Sequence, residues 1–260
     1  MEAKRKGIIG SVVALGLLLC CLAAYLLLSR GQVYRGVRCR VTYHSDTLVT
    51  GADLAAYMNA NCPGVRGQLK RNVNLSQIGG IIRRWPYADS VRMTTDMRGV
   101  LHVEVVQVQV LLHVFNSQGS SFYLARTGHT GRMVPCVPGR PLRVMVASGA
   151  IADTCRPDIA LEWDGDTVCR DLMLLASRLE RHPFWRAQVS QIYVRKPGDY
   201  SLLPTVGNHI VELGGTDNLD RKLDNLWNIY TQGFNVAGWQ RYAKVSLQFG
   251  DRVPCEKRTI

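Results

Sequence analysis

Apolar and polar positions alternate along this chain with a period that changes from one stretch to the next. Val37 to Tyr43 alternates with period two, which predicts a strand. Thr50 and Asp53 have the spacing of a capping box, and Leu54, Tyr57 and Met58 follow at helical spacing until Cys62-Pro63-Gly64 stops them. A second helix is predicted from Asn74, with Gln77 three residues on, an apolar stripe of Leu75, Ile78, Ile81, Ile82 and Trp85, and Pro86 as its end. Ser90–Thr94 and Val100–Gln107 then read as strands around an Asp96–Gly99 turn. The order strand, helix, helix, strand, strand predicts a three-stranded sheet covered on one face by two helices.

After Val105 the apolar positions move from odd to even numbers, to Val108 and Val110. A change of phase turns side chains to the opposite face of a strand, so a junction is expected here, one strand path feeding a second sheet. Beyond it, Val108–Phe115 and Ser121–Ala125 predict a hairpin, and Gly128–Gly131 a further turn. Leu142–Ala147 predicts a strand, and Thr167–Glu180 a helix with Leu172, Leu175 and Leu179 in register, ended by His182-Pro183. Strands are expected at Ala187–Arg195, Leu202–Val206 and Ile210–Leu213. A last helix is expected at Leu219–Tyr230 with Gly233 as its stop, then a final strand Tyr242–Phe249 and a short tail Val253-Pro254-Cys255. The fold class read from this pattern is α+β.

One stretch fits neither period. Gly7 to Leu28 carries no charge, and at about 1.5 Å per helical residue it covers the roughly 30 Å of a bilayer core. Lys4, Arg5 and Lys6 precede it, which favours a cytoplasmic N-terminus. The run is longer than a signal-peptide core and lacks an Ala-x-Ala site, so a transmembrane anchor is the expected reading. The expected organisation is a cytoplasmic tail at 1–6, a transmembrane helix at 7–28, one domain at 37–107 and a β-rich domain with two or more helices at 108–260. The formal charge of the whole chain is +12. Its basic residues look scattered along the sequence, which fits a surface near anionic lipid or wall polymer better than a nucleic-acid site.

Chemistry adds little. Cys20 and Cys21 lie in the apolar run; Cys39, Cys62, Cys136, Cys155, Cys169 and Cys255 lie outside it, an even number that permits disulfides without choosing their pairing. His44, His102, His113, His129, His182 and His209 form no metal or catalytic motif. Glu162, Asp164 and Asp166 precede a helix and read as stabilisers of its N-terminus. There is no nucleophile elbow, dinucleotide fingerprint or phosphate loop, so a non-enzymatic protein without cofactor or metal is expected.

Several segments carry a family likeness. His182–Val194 (HPFWRAQVSQIYV), Leu203–Ile210 (LPTVGNHI) and Gly238–Tyr242 (GWQRY) resemble landmarks of the FtsQ/DivIB cell-division proteins. Asn74–Ile78, Trp85–Val91 and Gly99–Val105 resemble the second helix and following strands of the POTRA domain in that family. The resemblance implies a bitopic scaffold of the bacterial divisome in the inner membrane at the division site, its C-terminal domains periplasmic. It also implies that the scaffold meets FtsB- and FtsL-like single-span proteins, helps control septal wall synthesis, and binds no nucleic acid. It places the FtsB-like contact on the last strand, taken as a sheet edge, at Tyr242, Lys244, Ser246, Leu247, Phe249 and Val253. The alternative reading is a POTRA-containing exported adaptor in envelope assembly or secretion.

Overall fold

Thr50 and Asp53 close the first helix as their spacing predicts. The Thr50 hydroxyl accepts from the Asp53 N–H, and the Asp53 carboxylate accepts from the Thr50 N–H at 2.7 Å. The structure, a computed structural model, describes residues 16, 18–22, 32–44, 46–128, 130–156, 160–161, 168–250 and 252–258. Among these no helix is long and apolar enough to cross a membrane; the expected span at 7–28 lies mostly outside the described residues, as do His129, Glu162, Asp164 and Asp166. The fold is α+β, and the chain divides into two compact units. One comprises Met1–Thr42, Thr50–Trp85 and Ser90–Val105; the other comprises Tyr43–Val49, Pro86–Asp89 and Val106–Ile260.

The first unit is built on a three-stranded sheet. Its strands are β1 (Gly36–Thr42), β2 (Ala88–Thr95) and β3 (Val100–Gln107), in the order β1-β3-β2. Helices α1 (Gly51–Asn61) and α2 (Leu75–Arg83) cover one face. Asn74 caps α2 by accepting from the Gln77 N–H at 3.1 Å, and Ile78 and Ile82 are fully buried. Leu101, Val103 and Val105, alternating along β3, form the floor against which these helices pack. At Gly79 a Cβ would lie 2.9 Å from Met93 Cε, so a larger residue there would require the flexible Met93 side chain on β2 to move aside. On the sheet's other face Arg38, Arg40, Ser90, Arg92 and Thr94 are exposed.

The strand path leaves the first sheet at Gln107 and enters the second at Gln109, where the phase of the pattern changes. The second sheet has ten strands. They are β4 (Gln109–Phe115), β5 (Ser121–Thr127), β6 (Thr130–Pro135), β7 (Met145–Gly149), β8 (Ala160–Leu161), β9 (Val189–Lys196), β10 (Asp199–Pro204), β11 (Ile210–Gly214), β12 (Tyr242–Ser246) and β13 (Cys255–Lys257). Their order is β13-β12-β11-β10-β9-β7-β4-β5-β6-β8. The β4–β5 hairpin forms, with His113 opposite Tyr123. Helix α3 (Val168–Glu180) buries Cys169, Leu172, Leu175 and Leu179 in the same core as Ile192, Val211 and Val245.

Four local expectations are corrected. Pro183 does not merely end α3; it occupies the first turn of a short helix, α4 (Pro183–Gln188), a position that has no use for the missing N–H. The strand expected from Leu142 begins only at Met145. The helix α5 (Leu219–Asn228) does not stop at Gly233. It passes through a π-helical stretch, Ile229–Phe234, and a last turn, α6 (Asn235–Ala237), to Gly238, whose φ of 90° ends it. Tyr230 and Phe234 explain the extension, because both rings are buried and lie 5.5 Å apart, and the wider π turn keeps them on one side. Finally, β12 ends at Ser246, not Phe249. Leu247 turns into the core, and Gly250, with φ of 66°, helps reverse the chain so that β13 runs back along β12.

Candidate partner-binding site at the end of the ten-stranded sheet

The last strand predicted from the pattern is not the sheet edge. β12 lies between β11, to which it runs parallel, and β13, to which it runs antiparallel. The terminal strand is the three-residue β13, a segment expected to be a tail. Three residues after a proline give no alternation to read, so the pairing is decided only once Tyr242 stands opposite Lys257 and Val245 opposite Cys255. The Ser246 N–H donates to the Pro254 carbonyl at 2.9 Å and the Arg258 N–H to the Arg241 carbonyl at 2.9 Å, which extends the pairing at both ends.

The six residues expected at the contact fall into two groups. Leu247 is 2% exposed and Ser246 6%; Leu247 belongs to the core, and its N–H donates to the Glu212 carbonyl at 2.8 Å. Val253 is half-buried against that core. All three side chains thus pack in or against the core of the folded chain. Tyr242 is half-buried, its ring stacked on Phe234 with centroids 5.1 Å apart and planes 8° from parallel. Lys244 and Phe249 remain accessible, and Phe249, held by an isolated bridge to Arg252, is 62% exposed. Ile210 stands directly beside Lys244 in the register and is 45% exposed.

A ladder of charges crosses the same end of the sheet. Arg195 on β9 donates to Asp199 at 2.7 Å and to Glu212 on β11 at 2.8 Å. Lys244 on β12 lies 3.4 Å from the same Glu212 and 3.6 Å from Glu256 on β13. Two cations, Arg195 on β9 and Lys244 on β12, thus share Glu212 between them and each reaches a second carboxylate, Asp199 or Glu256. Each exposed cross-strand pair contributes only about 0.2–1 kcal/mol, yet the pairing disfavours any register that separates these cations from their carboxylates. Arg195, Glu212 and Glu256 carry no signal in the sequence, because their shared row depends on strand order.

Beneath this end lies an aromatic cluster. His209 is 2% exposed and shares a 2.8 Å hydrogen bond with the Tyr230 hydroxyl. Trp239 packs 4.9 Å from the Tyr230 ring and 5.5 Å from that of Phe234. Burial, together with the charge of Arg258, pushes the His209 imidazole down to about 4, so it is neutral near pH 7. The cluster packs as a structural support under the sheet end.

The described cysteines are free thiols. Cys39 donates to the Met58 sulfur at 3.6 Å, and burial raises the Cys155 thiol to about 11. Among the described residues no three His, Cys, Asp or Glu side chains converge as a metal site.

A family model described as FtsQ/DivIB, C-terminal related, matches residues 110–256, more than half of the 260 residues. The match begins within β4 and ends within β13, so it takes in nearly all of the ten-stranded sheet and the helices packed on it. No curated protein matches the chain. The sheet, its helices and this match lead to one conclusion: the chain belongs to the FtsQ/DivIB family of non-enzymatic cell-division proteins.

Proposed function

We propose that this chain is a membrane-tethered scaffold of the division machinery, anchored by Gly7–Leu28 with residues 1–6 in the cytoplasm and the remainder in the periplasm. On this reading the β1-α1-α2-β2-β3 unit, at about 37–107, is a POTRA domain. The part from about 108 to 260 is the FtsQ-type domain that receives an FtsB-like partner, with an FtsL-like protein in the same assembly. The supporting observation is the end of the large sheet. There a short terminal strand with only one neighbour lies close in sequence to an exposed Phe249, and next to a strand that carries Lys244. A strand with one free edge offers unpaired N–H and C=O groups to a partner's extended segment, and an exposed aromatic anchors it.

The correction of the edge alters the expected contact set. Phe249 and Lys244 carry the side-chain contribution and Tyr242 a smaller share. Ser246, Leu247 and Val253 act by holding the strand path. Two experiments test this separately. Depletion of the protein is expected to give filamentous cells with unfinished septa; normal division would sink the scaffold role. A pull-down from native membranes is expected to recover FtsB- and FtsL-like proteins with the unaltered chain and clearly less of the FtsB-like protein with Phe249→Asp. Equal recovery would move the interface elsewhere without touching the scaffold role.

A further inference from the structure

The basic residues look scattered along the sequence, but the net positive charge is concentrated in one unit. In the first unit, residues 32–42, 50–85 and 90–105 hold ten basic side chains against three acidic ones, a net charge of +7. The second unit holds eighteen against sixteen, a net charge of +2, over far more residues. Nine of the ten basic residues in the first unit are arginines, and all nine are exposed. Among the described residues none of them pairs with a carboxylate. Of the unit's acids, Asp53 serves the α1 cap, and Asp96 accepts from the Val100 N–H and meets His102 at 3.2 Å. The charge is therefore not used to hold the unit together.

Strand alternation sorts part of this charge onto one plane. Cys39 on β1 reaches Met58 of α1, and Met93 on β2 reaches Gly79 of α2, so these residues face the helices. Arg38 and Arg40 on β1 and Arg92 on β2 therefore lie on the opposite face. Arg38 and Arg40 line a shallow depression together with His102 and Glu104 of β3. The same face carries Ser90 and Thr94, both exposed, and the half-buried Val100 and Val106 of β3, and among the described residues it has no Phe, Tyr or Trp. Tight protein interfaces commonly add buried Trp or Tyr to their arginines, and this face offers the arginines alone. A layer of laterally mobile phosphodiesters needs no such anchor, and a guanidinium fork fits a phosphate better than an ammonium does.

We propose that this face, through Arg38, Arg40 and Arg92, docks the first unit on the anionic headgroups of a phospholipid bilayer. The proposal rests on the anchored reading above. Residues 29–35 join the apolar run to β1, and seven extended residues reach no more than about 25 Å. The unit is thus kept at a distance from the bilayer at which its charge is felt, and docking would orient the chain relative to the membrane.

The test uses the full chain in nanodiscs, carrying the photo-cross-linker p-benzoylphenylalanine in place of Thr94 on the same face. One set of discs contains phosphatidylcholine alone and the other adds phosphatidylglycerol. Lipid adducts are read by mass spectrometry. Phosphatidylglycerol is expected to raise the adduct yield at least about tenfold. That gain should vanish between about 0.05 and 0.5 M salt and in the combined variant Arg38→Gln, Arg40→Gln, Arg92→Gln, with its circular dichroism unchanged. The same cross-linker in place of Ser76, exposed on α2, is expected to show no dependence on lipid charge. Equal yields at position 94 in both discs would overturn the proposal. So would native-membrane adducts at position 94 to an acidic protein or wall polymer in place of lipid. Failure of the anchored reading would show differently, as a chain that alkaline carbonate strips from the discs.

Discussion

The two units treat charge in opposite ways. The first carries an excess of arginines that have no carboxylate partners among the described residues, while the second has nearly equal numbers of each sign and arranges five of them, Arg195, Asp199, Glu212, Lys244 and Glu256, in a ladder across its strands. A small sheet with two helices buries enough with Ile78, Ile82, Leu101 and Val103 to fold despite self-repulsion, so its surface charge is available for something outside the chain. A ten-stranded sheet has a register problem at every pair, and paired charges at its end help settle it. Basic residues therefore mean different things in the two halves: an outward-facing surface in one, internal cross-bracing in the other.

The largest effect expected separates inward from outward residues at the sheet end. Leu247→Asp places a charge in the core at a site that is 2% exposed. It should cost at least about 4 kcal/mol, enough to abolish a cooperative urea transition in the second unit. Phe249→Asp, two residues on and 62% exposed, should leave that transition within about 0.5 kcal/mol. A stable Leu247→Asp chain would break the division between the two groups. This also changes how a charge at Leu247 is read, since weaker partner binding there would report unfolding and not a lost contact.

The next effect belongs to His209. Its imidazole is held near 4 when folded, against an ordinary value of 6.5. The unfolded chain therefore binds the proton more tightly, and the neutral, buried ring contributes stability above pH 6.5 that is lost as pH falls toward 4. The loss should approach about 3 kcal/mol in acid denaturation profiles, and His209→Gln should flatten that part of the curve. An unchanged profile would remove the aromatic cluster from the account of the second unit.

In the first unit, Thr50→Ala removes the hydroxyl of the capping box and should cost about 1 kcal/mol, seen as faster hydrogen exchange in α1. The smallest effect compares the units directly. Raising salt from about 0.05 to 0.5 M should slow amide exchange in β3, because repulsion among unpaired arginines is screened, and speed it in β11, because the ladder is weakened, each by less than about 1 kcal/mol. Glu212→Gln should remove most of the second response. Salt slopes of the same sign in β3 and β11 would erase the contrast.

Much of the fold was legible because its signals are local. The Thr50–Asp53 box, the Asn74 cap, the Asp96–Gly99 turn and the alternation of Val100–Gln107 each depend on neighbours within a few residues. The end of α5 was not legible: Gly233 looks like a stop, and only the burial of Tyr230 and Phe234 carries the helix through a π turn to Gly238. The candidate site was half legible. Alternation puts Tyr242, Lys244 and Ser246 on one face of a strand and Val245 on the other, but says nothing of what lies beside that strand.

By itself the sequence determined the elements of the first unit, the change of phase after Val105, the uncharged run Gly7–Leu28 and the landmarks that resemble FtsQ/DivIB proteins. These rest on periodicity and on spacings of three or four residues, which short-range geometry enforces. Tertiary structure alone decided that β13 and not β12 ends the large sheet, that Leu247 is core while Phe249 is surface, and that Arg195, Glu212, Lys244 and Glu256 share one row. It also concentrated net positive charge in one unit and set Arg38, Arg40 and Arg92 on one face of its sheet. Strand order and the folding together of distant segments are set by the sum of many weak contacts across the chain, and no local pattern encodes that sum.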